Sequence, residues 1–190
     1  MSINIEKMRD DFSAFFKKYE NCDFEGATDE ADYVKDAEEL LSQYESGAES
    51  DEEKRELSEQ CVHLGCKIMM YTDNPSGPVY YRKAIDLQPD SYDIRWGYYT
   101  TLEEIVENEE YSTPELIRDA VECLTFCIDY CDTPELREEK HIQNRYFELA
   151  RVYMAAKDYA KAKECAEKSL DIEWDEDVQE LINAAESMLS

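Results

Sequence analysis

Seven cysteines and two histidines are the side chains of this sequence that are best suited to chemistry. One set recurs every four residues, which places it on a single stripe of a helix: Cys123, Cys127 and Cys131. A second set falls together in another predicted helix: Cys61, His63 and Cys66. Zinc sites usually take ligands from close pairs such as C-x2-C, and the sequence contains no such pair. Because free cysteine commonly behaves as a small buried hydrophobe, the spacing favours structural cysteines over a metal or redox site.

Recognisable catalytic motifs are missing from the sequence. His63 and His141 both fall in predicted helices among polar neighbours. There is no glycine-rich phosphate loop, no pair of helix histidines with a glutamate and no nucleophile elbow. The run DNPSG at residues 73–77 lacks the further oxygen ligands and the glutamate of a calcium loop. We therefore expect no catalytic activity, no cofactor and no metal.

The charge balance restricts the class of partner. Forty-seven acidic residues against twenty basic ones give a formal net charge of -27, which repels nucleic-acid phosphates. The excess acid can serve only to keep exposed helix faces soluble, or it can attract a basic partner. The sequence leaves both interpretations open.

The compartment is predicted from cysteine use and hydropathy. The start of the chain, MSINIEKMRDDF, is charged and lacks the apolar core of a signal peptide. No stretch approaches the roughly 18 apolar residues of a membrane span. With an odd number of cysteines, these features predict a cytoplasmic protein with reduced thiols and no membrane contact.

Composition and periodicity predict an all-α protein. Glycine and proline number only five each, and apolar stripes at helical spacing predict about nine helices. The first three cover residues 3–20, 29–44 and 51–71, and the last covers 175–189. Pro89 ends the fourth helix. The run Thr133-Pro134-Glu135 is predicted to open a long helix that continues past residue 146.

The stretch YFELARVYMAAKDYAKAKECAEKSLDIEW, residues 146–174, is the most informative part of the chain. It predicts two short amphipathic helices that fold back on each other across a turn at Lys157-Asp158. Their inward positions are Tyr146, Leu149, Ala150 and Tyr153, then Ala162, Ala166, Ser169 and Leu170. This order of aromatic, leucine, small residue, tyrosine and alanine resembles the tetratricopeptide repeat. A second match is Cys61-x2-Leu64-Gly65-x2-Ile68, followed by Gly77-x3-Tyr81 and Pro89.

The resemblance implies an all-α, right-handed solenoid of antiparallel helical hairpins. It implies one domain over residues 1–190, with a divergent hairpin at 1–50, repeat-like hairpins at 51–174 and a capping helix at 175–190. An open stack of repeats exposes an apolar end, and the last helix has the apolar side needed to cover it.

The resemblance also implies a function and a site. Such repeats bind other proteins, and the first helix of each hairpin lines the concave face where peptides dock. Carrying this face over by alignment gives Val62, Cys66 and Met69, then Trp96, Thr100 and Glu103, then Phe147, Arg151 and Met154. We expect a non-catalytic adaptor that binds a peptide or helix through apolar anchors with basic flanks.

Three alternatives stay open at this point. The same side chains could pack against a neighbouring hairpin instead of a partner. A heavily aromatic first helix, with Phe12, Phe15 and Phe16, could pack on a second copy and make a self-assembling scaffold. The chain could also shield a secreted or aggregation-prone client as a chaperone.

Overall fold

All secondary structure in the described part of the chain is helical. The computed structural model describes residues 3–20, 22, 27–69 and 76–190. Within them lie ten helices: α1 Ile5–Lys18, α2 Ala27–Glu45, α3 Asp51–Met69, α4 Ser76–Leu87, α5 Tyr92–Glu107, α6 Pro114–Tyr130, α7 Pro134–Glu139, α8 Ile142–Ala155, α9 Tyr159–Leu170 and α10 Glu176–Leu189. The all-α prediction is confirmed.

The chain divides into two compact units, Met1–Ile94 and Arg95–Ser190. The single repeat domain expected from the sequence, with its boundaries at 50 and 174, stays a prediction. So does the right-handed turn of the solenoid.

The first unit has an aromatic core that α1 supplies in large part. Phe12 is fully buried and Phe15 is nearly so, and the Phe15 ring lies 5.0 Å from Tyr33 and 5.1 Å from Tyr19, centroid to centroid. Phe16 is half-buried and packs against the same core. The aromatic stripe of the first helix is therefore core within its own unit.

A reciprocal cap starts α3. The backbone N–H of Glu53 donates to Ser50 Oγ at 3.3 Å, and the backbone N–H of Ser50 donates to Glu53 Oε2 at 2.9 Å. This is a capping box, which satisfies donors that the first turn of a helix leaves unpaired. Glu53 Oε1 also accepts from the backbone N–H of Ile3 at 2.6 Å, so the same carboxylate ties the start of the chain to α3.

Close helix contact in the second unit depends on small residues. Ala150, Ala162 and Ala166 are fully buried between α8 and α9, which pack extensively on each other. The turn between them has Lys157 at φ 59°. The N–H of Asp158 donates to the Tyr153 carbonyl at 2.9 Å and the N–H of Lys157 to the Met154 carbonyl at 3.0 Å. These two bonds define a Schellman motif, so the turn stands where the sequence predicts it.

One predicted element is wrong. The run from Thr133 does not open a single long helix, because α7 ends at Glu139 and α8 begins at Ile142. His141 lies between them at φ 50°, a left-handed conformation that interrupts an α-helix. This break gives ten described helices instead of about nine.

Two predicted loops lie largely outside the described residues. The polar break at 21–28 includes the undescribed residues 21 and 23–26, and the turn at 72–77 includes 72–75. Gly77 belongs to the first turn of α4, one residue after Ser76 and one before Pro78, where the missing N–H of proline removes no helical hydrogen bond.

Candidate functional site

The α8 helix presents two different faces. Leu149, Ala150 and Val152 are buried against the rest of their unit, which makes them core. The predicted binding residues at 147, 151 and 154 recur at helical spacing on another face, and all three are only partly buried. The α8 helix therefore leaves an apolar and charged stripe accessible along its length.

Arg151 is held by the protein's own carboxylates. Its guanidinium donates to Glu103 Oε1 at 2.8 Å, to Glu148 Oε2 at 2.8 Å and to Glu107 Oε2 at 2.7 Å. The Tyr99 hydroxyl donates to the same Glu148 oxygen at 2.7 Å. This arginine cluster (Arg151, Glu103, Glu107, Glu148 and Tyr99) joins α5 to α8.

Burial and charge in the arginine cluster shift two pKa values. Burial raises the pKa of Tyr99, and the negative charge of Glu148 raises it further. Burial opposes the charge of Arg151, but the hydrogen bond to Glu103 and the charges of Glu148 and Glu107 outweigh that effect and raise its pKa. Arg151 is thus a fixed cation and Tyr99 a fixed hydroxyl donor over the whole physiological range.

The α5 contribution to the predicted face is partly covered. The Arg145 guanidinium lies 3.3 Å from the centroid of the Trp96 ring, and the Tyr99 ring is 5.4 Å away. A cation over an indole face is attracted by the ring quadrupole, so one face of Trp96 already has a partner. Thr100 is exposed, and its hydroxyl donates to the Gly97 carbonyl at 2.9 Å.

The predicted binding residues of α3 lie in the first unit. Cys61, Leu64 and Ile68 of this helix are buried, and the predicted residues at positions 62, 66 and 69 are half-buried. Val62 and Met69 also pack against the core of that unit. The residues predicted for the peptide site are therefore all at least partly exposed: Val62, Cys66, Met69, Trp96, Thr100, Glu103, Phe147, Arg151 and Met154.

The cysteines are placed as small apolar residues. Cys123, Cys127 and Cys131 are all buried, and burial raises the pKa of Cys123 to about 12 and that of Cys61 to about 12. Thiols with raised pKa values are poor nucleophiles and poor metal ligands. Among the described residues there is no group of three or more His, Cys, Asp or Glu placed to hold a metal ion.

A cleft of about 790 Å³ lies in the second unit, where α5 and α8 end and α6 and α9 begin. We call it the end cleft. Its walls include Val106, Pro114, Ile117, Met154, Tyr159, Ala184 and Met188, and its polar lining is Glu107, Glu109, Ser112, Lys157 and Ser187. Of the residues predicted for the peptide site, its lining contains Met154 alone. The other lining residues were not predicted, although Glu107, Glu109 and Ser112 fall in the long stretch 107–113 between two helical patterns, which is a signal in the sequence.

Ser112 is the unusual member of the end cleft. Its hydroxyl oxygen is shielded from solvent and has no hydrogen-bond partner in the described part of the chain. Leaving a buried hydroxyl unpaired costs about 1–3 kcal/mol. Such a group in a native structure calls for an explanation.

These features define an all-α protein built from helical hairpins, with partly exposed faces and no candidate metal cluster among the described residues. Residues 144–173 match the family model described as "Tetratricopeptide repeat", which confirms the resemblance predicted from the 146–174 stretch. The match covers α9 and all but the first two residues of α8, the hairpin closed by the Schellman turn. No curated protein and no solved structure matches the chain.

The matched repeat indicates the general class of function. Tetratricopeptide repeats act as protein–protein interaction modules and in general carry no catalysis. No described helix combines the length and the apolar character that crossing a membrane would require.

Proposed function

We propose that this chain is a non-catalytic adaptor that binds a peptide or helix of a partner protein, using the partly exposed faces of α8 and α5 in the second unit; the partly exposed face of α3 in the first unit is proposed as a separate surface. The observation that carries the proposal is the burial pattern of the matched repeat. Neighbouring residues of α8 are core, while Phe147 and Met154 keep part of their apolar surface in water.

The partner fitted by these faces has apolar anchors and basic flanks. Phe147 and Met154 provide apolar contact, and methionine adapts to varied shapes. Glu103, Glu107 and Glu148 outnumber the one arginine that they surround, so the flank of this face is negative. A preformed helical surface also loses little conformational entropy on binding.

A pull-down with matched alanine variants tests the proposal. Because Phe147 is half-buried, Phe147→Ala should cost about 1–2 kcal/mol of binding, or about five- to thirtyfold in Kd. Its effect on the melting temperature should be small beside that of Leu149→Ala, a core substitution worth about 2–5 kcal/mol. The control is Ile172→Ala, which removes a side chain that is 50% exposed at the end of the same hairpin.

Each outcome has a distinct meaning. A protein recovered by the wild type and by Ile172→Ala, but lost with Phe147→Ala, supports the adaptor function. A Phe147→Ala protein that melts as low as Leu149→Ala would show that Phe147 is core and would remove the site. Recovery of nothing but further copies of the chain would favour a self-assembling scaffold, for which burial of Phe12 and Phe15 leaves α1 little free aromatic surface. A chaperone would use the same face, so the nature of the recovered protein decides between adaptor and chaperone.

A further inference from the structure

We propose that the end cleft is a second docking site and that it takes a short, basic, amphipathic helical segment of a partner protein. This inference rests on the interaction function proposed above and adds to it a surface with its own chemistry. The end cleft lies where α5 and α8 end, and the last helix, α10, closes one side of it through Ala184 and Met188.

The walls of the end cleft fit apolar anchors. Val106 is buried behind it, Ile117, Met154 and Tyr159 are half-buried, and the side chain of Met188 is 58% exposed at its edge. An α-helix is about 10–12 Å wide with its side chains and rises 5.4 Å per turn. The cleft volume of about 790 Å³ is therefore equal to that of between one and two helical turns. The space therefore suits a short helical segment better than a long helix.

The rim of the end cleft favours cationic flanks. Glu107 belongs both to the cleft and to the arginine cluster. Across the cleft, Lys157 Nζ lies 3.2 Å from Glu109 Oε1, with both side chains mostly in water. Counting the arginine cluster, four carboxylates share two cations here, which leaves an excess of negative charge. Because an exposed pair such as Lys157–Glu109 contributes little to stability, a partner's Lys or Arg can take the place of Lys157 at small cost.

Ser112 is an independent sign of an occupant. Ser112 lines the end cleft, and its hydroxyl oxygen is shielded from solvent and has no partner among the described residues. Buried polar groups in native proteins are nearly always hydrogen-bonded. A polar group of a docked segment would supply the bond that the chain itself does not.

The test uses a fluorescent synthetic helix with leucines on one face and lysines on the other, measured by anisotropy against the full chain. Ala184→Trp fills the end cleft from an exposed position and should weaken binding by at least about tenfold. Ala14→Trp is the matched control, because Ala14 is also an exposed helical alanine and does not line the cleft. It should leave the affinity unchanged.

Ser112→Ala separates a ligand contact from a structural role. Losing one hydrogen bond to the peptide should weaken binding by about two- to twelvefold. The melting temperature should stay the same or rise, because the variant removes a buried hydroxyl without a partner. A fall in melting temperature with unchanged affinity would overturn the role given to Ser112.

Three results would overturn the docking site. They are failure of the leucine–lysine helix to bind the wild type, equal binding by Ala184→Trp, and equal binding of a peptide with the same composition in scrambled order. The last would show attraction by charge alone. The adaptor function is tested separately, with the native partner. If Phe147→Ala loses the native partner and Ala184→Trp keeps it, the adaptor function is supported and the end cleft is not its docking site. If Ala184→Trp loses the synthetic helix and no native partner is recovered, the docking site at the end cleft is supported and the adaptor function is not.

Discussion

Replacing Arg151 by methionine removes one charge and five N–H donors while keeping most of the side chain's apolar length. Three carboxylates then face one another across α5 and α8, and the Tyr99 hydroxyl still donates to Glu148. A hydrogen bond to a charged group contributes about 1.5–3 kcal/mol, whereas an exposed ion pair contributes about 0–1 kcal/mol. The Glu148 side chain is 17% exposed, so its bond takes the larger value. Glu103 and Glu107, at 36% and 38%, fall close to the exposed case.

The expected total is about 1.5–5 kcal/mol of unfolding free energy. For a chain of this length that corresponds to a melting temperature lower by about 3–20 °C. Urea unfolding followed by circular dichroism measures it, at low and at high salt. Raising the salt should reduce the difference only in part, because partly buried pairs are screened less than exposed ones.

Arg118→Met is the matched control. Its side chain is 62% exposed and its two carboxylate neighbours, Glu115 and Glu122, are 4.0 Å away, so the loss should stay below about 0.5 kcal/mol. If Arg151→Met is as stable as Arg118→Met, the arginine cluster does not hold α5 to α8 and the reasoning from its geometry is refuted. If Arg151→Met keeps its stability but loses the partner, Arg151 is a ligand contact, as the family alignment predicts.

Three further predictions follow from other parts of the molecule. Gly65→Ala should destabilise the protein by about 1–3 kcal/mol in urea unfolding, because the added Cβ would lie 2.8 Å from Tyr81 Cδ2. Gly97→Ala should stabilise it by about 0.5–1 kcal/mol through helix propensity, because an added Cβ there would meet nothing within 4 Å. Stability changes of the same sign in the two variants would contradict this prediction. The Arg9 guanidinium holds the pKa of Glu56 below its usual value, so this carboxylate stabilises the fold above about pH 4.3 and that contribution is lost as the pH falls through the folded-state pKa. Glu56→Gln should therefore be less stable than the wild type at pH 7, and the difference should close as the pH falls through the folded-state pKa of Glu56; a difference that stays constant with pH would refute the assignment. Association with a basic partner should slow as salt rises, and a salt-independent on-rate in stopped-flow measurements would reduce the net charge of the chain to a role in solubility.

Local patterns explain why much of the helical layout could be predicted. Asp158 caps α9 by accepting from the Lys161 N–H, Thr113 caps α6 by accepting from the Leu116 N–H, and α4 ends two residues before Pro89. Each of these signals acts within a few residues, so the sequence alone carries it. Small residues at Ala150 and Ala162 likewise show directly which helices pack closely.

The features that escaped prediction depend on contacts distant in the sequence. Arg151 could be aligned to a binding face, but its partners Glu103 and Glu107 are 48 and 44 residues away in the sequence. Nothing in the local sequence indicates that these carboxylates accept its N–H hydrogen bonds. The break at His141 has no glycine or proline to mark it. No local pattern marks the Ser112 hydroxyl, because the lack of a hydrogen-bond partner among the described residues depends on what surrounds it in the fold.

Met154 is shared by the two proposed surfaces, and this gives a test of how they are used. It lies on the α8 stripe with Phe147 and also lines the end cleft. Phe147→Ala should affect only the stripe, Ala184→Trp only the end cleft, and Met154→Ala both. A partner that occupies both surfaces at once should be weakened by all three variants. The combined loss in Phe147→Ala with Ala184→Trp should be close to the sum of the single losses, because each variant changes a different surface. A partner whose binding is weakened by Phe147→Ala or by Ala184→Trp, but not by both, uses only one of the two surfaces. If Met154→Ala alone has an effect, then neither surface binds as proposed, and the loss must come from a change in the packing of α8 itself.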